Sequence, residues 1–254
     1  MMLDAIRSES IKLRTVRANV VIALVGVLVP LGFTILIAST GAFGPRDGQE
    51  TFAATVLIPG YLCVFLAGVV GVLGIAQEYR HSTIRVTFTV DARRSRVLAA
   101  KVIVSTLFGA GIGLVAGVAC YGAARLIFAI RHVAMSLTSP GENLSAFVGQ
   151  IVLCALFTLA GFGLGAIFRQ PAAAIPVLFL WPLIGEQAIM RMVLFVLGAE
   201  DKARWLPFQA GLSLPVTGIG RAGELSRVGA GVWFGVVVAG LVAFGWVLVE
   251  RRDA

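Results

Sequence analysis

The chain has 254 residues, of which 58% are hydrophobic and 13% charged, with a mean hydropathy of +0.94. A soluble domain carries roughly 25% charged residues, so a water-soluble globule is excluded. The net charge of +8 and a pI near 10.3 would suit nucleic acid, but most of the cations flank long apolar runs, which is the positive-inside bias of a membrane protein, and a nucleic-acid partner is not expected.

Residues 1–17 come first. Met2, Leu3, Ile6 and Leu13 fall on one helical arc, with Asp4 and Lys12 away from it and Arg14 and Arg17 intruding at its edge. This pattern predicts an amphipathic helix lying in the membrane interface. Six apolar runs follow, at residues 19–38, 53–76, 102–124, 146–168, 171–190 and 228–249. Each is about 20 residues or slightly more, the length needed to cross about 30 Å of hydrocarbon at about 1.5 Å per residue. The runs are continuous rather than alternating, which predicts helices and not barrel strands. The first run is longer than the about 7 to 15 residues of a signal-peptide core, and with Met1 ahead of it, it is expected to remain as a span.

Between the second and third runs, residues 77–101 hold the densest cationic cluster of the chain: Arg80, Arg85, Arg93, Arg94, Arg96 and Lys101. Within it, Ile84, Val86, Phe88 and Val90 alternate with Arg85, Thr87 and Thr89, which favours a strand. A lone strand would leave its backbone unsatisfied, so a short helix presenting Ile84 and Phe88 one turn apart is the alternative. Either form offers cations, hydroxyls and a few apolar groups to a cytosolic partner. With both termini in the cytoplasm, thirteen Lys and Arg fall on the inner side and eight on the outer, five of the eight in the long segment 191–227. That bias predicts a cytoplasmic placement for both termini and for residues 77–101.

Gly109, Gly113 and Gly117 recur every four residues, as do Gly161 and Gly165, and Gly231 and Gly235, a spacing that lets helices approach closely within lipid. Pro30, Pro59, Pro176 and Pro182 lie inside runs and shape their helices; the two in the fifth run would also suit a bend that moves during gating. Glu186 is the one acid well inside a run, four residues from its end and close to Arg191. An intramembrane carboxylate points to a cavity or a partner, and Glu186 and Gln187 are taken as a pathway or vestibule pair. A solvated outer vestibule or a structural ion pair accounts for Glu186 better than a proton relay does.

Cys63, Cys120 and Cys154 all fall in apolar runs and read as packing residues. His81 and His132 lie far apart, so no metal site is expected. None of the 30 glycines is followed by Lys, so a phosphate-binding loop of the GxxxxGK type is absent. A GxSxG elbow and an HExxH pair are also missing, and no catalytic residue is assigned. This chain is not expected to be an enzyme.

The stretch Glu78-Tyr79-Arg80-His81-Ser82-Thr83-Ile84, followed by Thr87-Phe88 and by residues 93–101, resembles the cytoplasmic loop of type-2 ATP-binding-cassette (ABC) exporter permeases. Ser82 stands where Gly is commoner in that family. Residues 8–15 are similar to the amphipathic start of the same family, with Ser10 in place of its usual aromatic, and residues 203–208 with Gly211 to its extracellular re-entrant stretch before the last span. The resemblance implies an all-α membrane domain over residues 1–254, with an interfacial helix at 1–17, a coupling loop at 77–101 and an extracellular segment at 191–227. It implies that Glu78, Tyr79, Arg80, Thr83, Ile84, Thr87, Phe88 and Arg93 couple the chain to a cytosolic ABC ATPase that binds ATP and Mg. A second permease, identical or homologous, would complete the pathway in the cell membrane, and the substrate would be hydrophobic or amphipathic. The alternatives are a secondary transporter, for which intramembrane ionisable residues are sparse, and a membrane scaffold or enzyme without an ATPase partner.

Overall fold

A computed structural model describes residues 2–40, 53–80, 94–132, 140–216 and 225–252, and every regular element among them is helical. Helix α1 (Met2–Thr15) carries Asp4 in its first turn and Lys12 and Arg14 in its last, the arrangement that suits the helix dipole. Its inward face differs from the arc expected from sequence. Leu13 and Glu9 are buried, whereas Leu3 is 79% exposed. Only Val16 separates α1 from α2 (Arg17–Thr40), which runs straight through the buried Pro30.

A wide π-helical turn, Ala53–Leu57, leads into α3 (Ile58–Arg80). Helix α4 (Arg94–Ile130) has 37 residues, about 55 Å at 1.5 Å per residue and far more than the about 30 Å of hydrocarbon. It includes residues 94–101, so Lys101 sits two turns inside a helix. Helix α5 (Pro140–Phe168) ends where Arg169 takes φ 57° and Gln170 is extended ahead of Pro171, a conformation that the residue before proline favours. Helix α6 (Pro171–Leu180) then widens into π-helical turns over Trp181–Met190 before α7 (Arg191–Val196). Pro176 and Pro182 both lack a backbone donor there, and a π segment is one way to re-seat the freed carbonyls. A 3₁₀ turn (Glu200–Trp205), the short α8 (Pro207–Leu212) and α9 (Arg227–Arg252) complete the chain.

Among the described residues, six helical stretches are long and apolar enough to cross a membrane: Arg17–Thr40, Thr55–Arg80, Ser95–Ile130, Asn143–Phe168, Pro171–Val196 and Arg227–Arg251. They are not equivalent. The most apolar stretch of α3 is 72% buried and that of α5 61%, against 17% for α2 and 22% for α9. Helices α3 and α5 therefore form the centre, and the others surround it. Glycine makes that centre possible: a Cβ on Gly71 would overlap the Thr158 carbonyl, and one on Gly161 would overlap the Gly68 carbonyl. Gly109, Gly113 and Gly117 of α4 meet Thr158, Cys154 and Phe147 of α5 in the same way, while Gly235 has only an ordinary contact with Leu156.

Polar side chains tie the central helices where no water is at hand. Thr158 Oγ1 donates to the Ala67 carbonyl at 3.1 Å and Gln150 Nε2 to the Gly60 carbonyl at 2.7 Å. Within the main core, Phe157 packs against Phe65, Phe208 and Phe234, with ring centroids 5.2 to 5.7 Å apart. Edge-on and tilted rings at this spacing contribute beyond their buried area. The Cys63 and Cys154 thiols are buried side by side, Sγ to Sγ 3.9 Å.

Candidate functional site

Two polar sites stand out, one at each end of the bundle. At the end carrying α1, four charged residues from three helices converge. Lys101 of α4 is 3% exposed and its Nζ lies 2.7 Å from Glu9 Oε2 and 2.6 Å from Glu78 Oε1. Lys12 of α1 approaches the same two acids, at 2.7 Å to Glu9 Oε1 and 3.2 Å to Glu78 Oε1. Two ammoniums and two carboxylates cancel in charge. An ammonium this deeply buried is held only by such pairing, because an isolated charge would cost several kcal/mol or more in lost hydration. Burial pushes the Lys12 ammonium down, but hydrogen bonds and charge attraction from Glu9 and Glu78 outweigh it and hold its pKa above the ordinary lysine value.

The neighbouring residue Tyr79 faces another way. Its ring packs with Ile75, Leu98, Phe162 and Val249 and takes the Arg169 guanidinium over its face at 4.7 Å. Arg169 also donates from Nη2 to the Leu248 carbonyl at 3.4 Å. Glu78 thus joins α3 to α1 and α4, and Tyr79 joins it to the end of α5 and to α9. Arg80, the last residue of α3, is exposed. Of the coupling residues expected from sequence, Thr83, Ile84, Thr87, Phe88 and Arg93 lie outside the described residues, as does the choice between strand and helix for that segment.

Three members of this cluster were not legible as site residues. Lys101 enters the sequence reading through the cationic cluster and as the end of the 93–101 resemblance, and Lys12 stands off the apolar arc. Glu9 enters only as part of the 8–15 resemblance. A usable signal existed: Leu98-Ala99-Ala100 places Lys101 on an apolar surface, where a lysine needs an acid.

At the opposite end, Glu186 is 1% exposed within the π-helical turns, and its Oε2 accepts the Gln209 backbone N–H at 3.0 Å. Gln209 Nε2 returns to the Pro182 carbonyl at 3.2 Å. Glu186 therefore caps α8 and fixes it to the fifth span, where the sequence suggested a solvated carboxylate or a pair with Arg191. Gln187, by contrast, is exposed and lines a cavity of about 510 Å³ with Tyr61, Arg191, Arg204 and Gln209. Tyr61 donates its hydroxyl to the Leu212 carbonyl at 2.8 Å, which holds the last residue of α8 against α3.

A bundle of six apolar helices with a charge-neutral knot at one end and a polar cavity at the other is the architecture of a multi-span membrane protein. The family model described as "ABC-2 family transporter protein" matches residues 5–184, about seven tenths of the chain, and the chain belongs to this family of ABC transporter permeases. The match takes in Glu9, Lys12, Glu78 and Lys101 and stops just short of Glu186. No curated protein matches the chain.

Proposed function

We propose that this chain is the transmembrane subunit of an ABC exporter that moves a hydrophobic or amphipathic substrate across the cell membrane. The α1 end is the cytoplasmic one, as the thirteen inner cations suggest. ATP and Mg bind in a separate cytosolic ATPase, since this chain offers no phosphate loop, and nucleotide hydrolysis there supplies the driving energy. A second permease subunit completes the pathway.

The observation that carries this reading, beside the family, is the placing of the charged knot. Residues 81–93 join α3 to α4, and the knot holds both flanks of that segment, Glu78 on one side and Lys101 on the other. A partner pressing on residues 81–93, with Thr83, Ile84, Thr87, Phe88 and Arg93 as its contacts, would move α3 and α4 as one piece. Glu9 and Lys12 would carry α1 with them, and the Tyr79–Arg169 contact would pass the movement to α5 and α9. Gln187, with Arg191 and Arg204, offers polar contacts at the outer end of the pathway, and Glu186 keeps that end in shape.

The test is co-purification with an ABC ATPase subunit and ATP-dependent transport by the reconstituted complex. Phe88→Ala removes an apolar anchor worth about 1.5 to 3 kcal/mol if buried in a partner groove. It is expected to weaken assembly or uncouple transport while leaving detergent stability unchanged, whereas Val237→Ala on α9 leaves all three unchanged. ATP hydrolysis by this chain alone, or transport driven by an ion gradient without any ATPase, would reject the reading.

A further inference from the structure

The α1 end holds a second site that the coupling argument does not use. A groove of about 570 Å³ runs between α1, α2 and α4, within the range of about 300 to 1,000 Å³ typical of small-molecule sites. Its walls are aliphatic or aromatic, and they open outward: Leu24 is 54% exposed, Leu107 66% and Val115 56%. Its polar lining is confined to one end, where Ser10 and Arg14 of α1 stand.

Length and charge say what fits. From Val104 to Val115 the groove follows α4 for twelve residues, a rise of about 16 Å at 1.5 Å per residue, which is about half of a 30 Å hydrocarbon core and so the depth of one leaflet. Its mouth is cationic. Arg7, Ser10 and Arg14 follow the helical spacing of one α1 face, and Arg17 opens α2 one turn before Val20, which lines the groove. All three arginines are exposed, and no acid lines the groove. Glu9, the buried acid of α1, is turned into the lysine knot instead. A second copy of the chain paired symmetrically at this face would set the same arginines against one another.

We infer that the groove is a binding site for an anionic phospholipid of the leaflet that α1 lies on, with one acyl chain between α2 and α4 and the phosphate at Ser10 and Arg14. The aliphatic walls recognise the chain and set its depth. The guanidinium groups recognise the phosphate and select a net negative headgroup over a zwitterionic one, because paired forks of donors suit phosphate oxygens. The lipid fastens α1 to α2 and α4 in addition to the knot.

Gly111 gives a clean way to block the groove, since a side chain there meets nothing within 4 Å and the residue lines the groove. The full-length purified chain is delipidated and titrated with phosphatidylglycerol or phosphatidylcholine, and bound lipid is counted by native mass spectrometry. The wild type is expected to retain one phosphatidylglycerol in preference to phosphatidylcholine. Gly111→Phe is expected to lower retention of both lipids at least ten-fold. Arg14→Gln, an exposed substitution that leaves the fold alone, is expected to cut the preference for phosphatidylglycerol about five-fold while keeping phosphatidylcholine. As a further measure, a photoreactive phosphatidylglycerol should label Leu107→Cys, competed by unlabelled phosphatidylglycerol but not by phosphatidylcholine, and should label Val232→Cys on α9 without such competition. Unchanged lipid retention in Gly111→Phe, an unchanged preference in Arg14→Gln, or a Leu107→Cys crosslink to a second protein copy in place of lipid would each overturn the assignment. None of these results depends on an ATPase partner, so they fail or succeed separately from the exporter reading.

Discussion

The two ends of the bundle each bury an acid, and they neutralise it by opposite means. Glu78 and Glu9 meet the ammoniums of Lys101 and Lys12, drawn from helices distant in sequence. Glu186 meets the backbone N–H of Gln209 in α8. A carboxylate held by backbone donors is fixed to one geometry, because those donors cannot move without unwinding the helix. A carboxylate shared between two flexible lysines keeps its energy over a range of positions. The α1 end is therefore joined by side-chain charges from three helices, and the opposite end by a backbone donor of one short helix.

The largest effect should follow from breaking the knot at its centre. Lys101→Met leaves the buried Glu9 carboxylate and the part-buried Glu78 carboxylate facing each other with only the half-exposed Lys12 between them. Removing one partner of a buried pair costs about 3 to 5 kcal/mol, so a fall in unfolding free energy of that order is expected in detergent. The double variant Lys101→Met with Glu78→Gln should recover part of the loss, since it removes the repulsion, and a double-mutant cycle measures the coupling. A Lys101→Met protein as stable as wild type would mean that the knot does not hold the helices.

At the other end, Glu186→Gln keeps the shape and one acceptor oxygen for the Gln209 N–H but loses the charge. Hydrogen bonds to charged groups are worth about 1.5 to 3 kcal/mol and neutral ones about 1, so the expected loss is about 1 to 2 kcal/mol. Glu186→Ala should cost more, as it leaves the Gln209 N–H without its acceptor. If both variants cost as much as Lys101→Met, the contrast between the two ends collapses.

Arg169 tests how far the α1 end extends. Arg169→Ala removes the cation from the Tyr79 ring and a donor to Leu248, with an expected cost of about 1 to 2 kcal/mol. Arg169→Gly should cost less, because glycine adopts the φ of 57° at Arg169 without strain. The difference between the two, measured by thermal unfolding, reports the backbone strain at that break.

Much of this architecture was readable in advance, and what was not has a physical cause. Apolar length located six spans because the bilayer sets a fixed requirement per helix. It misjudged where α4 begins, since residues 94–101 are too polar to register as a span although they continue the same helix. Gly109 and Gly161 stood out by spacing, but Gly71, which permits the closest approach of α3 to α5, did not. Glu186 was visible as an acid in an apolar run. Its partner was not, because a backbone N–H from a helix 23 residues later leaves no mark in composition. The knot was hidden for the opposite reason: its charges were conspicuous but were absorbed into a topology signal that any basic loop produces.

Lys12 offers the smallest and most conditional effect. It is 44% exposed, so its pairs with Glu9 and Glu78 are partly screened, and Lys12→Met is expected to cost about 0 to 1 kcal/mol. The sign of its pH dependence follows from the raised pKa of the folded state. A lysine that binds its proton more tightly when folded contributes fully below its unfolded pKa and loses that contribution as pH climbs through the higher folded value. The stability gap between wild type and Lys12→Met should therefore be constant through neutral pH and narrow only above the ordinary lysine range. Raising salt from about 0.01 M to 1 M shortens the screening length from about 30 Å to 3 Å, and it should shrink the same gap at neutral pH. Lys101, 3% exposed, should show far less salt dependence. Equal salt sensitivity for the two lysines would show that water reaches the centre of the knot and that its cohesion comes from packing of α1 rather than from charge.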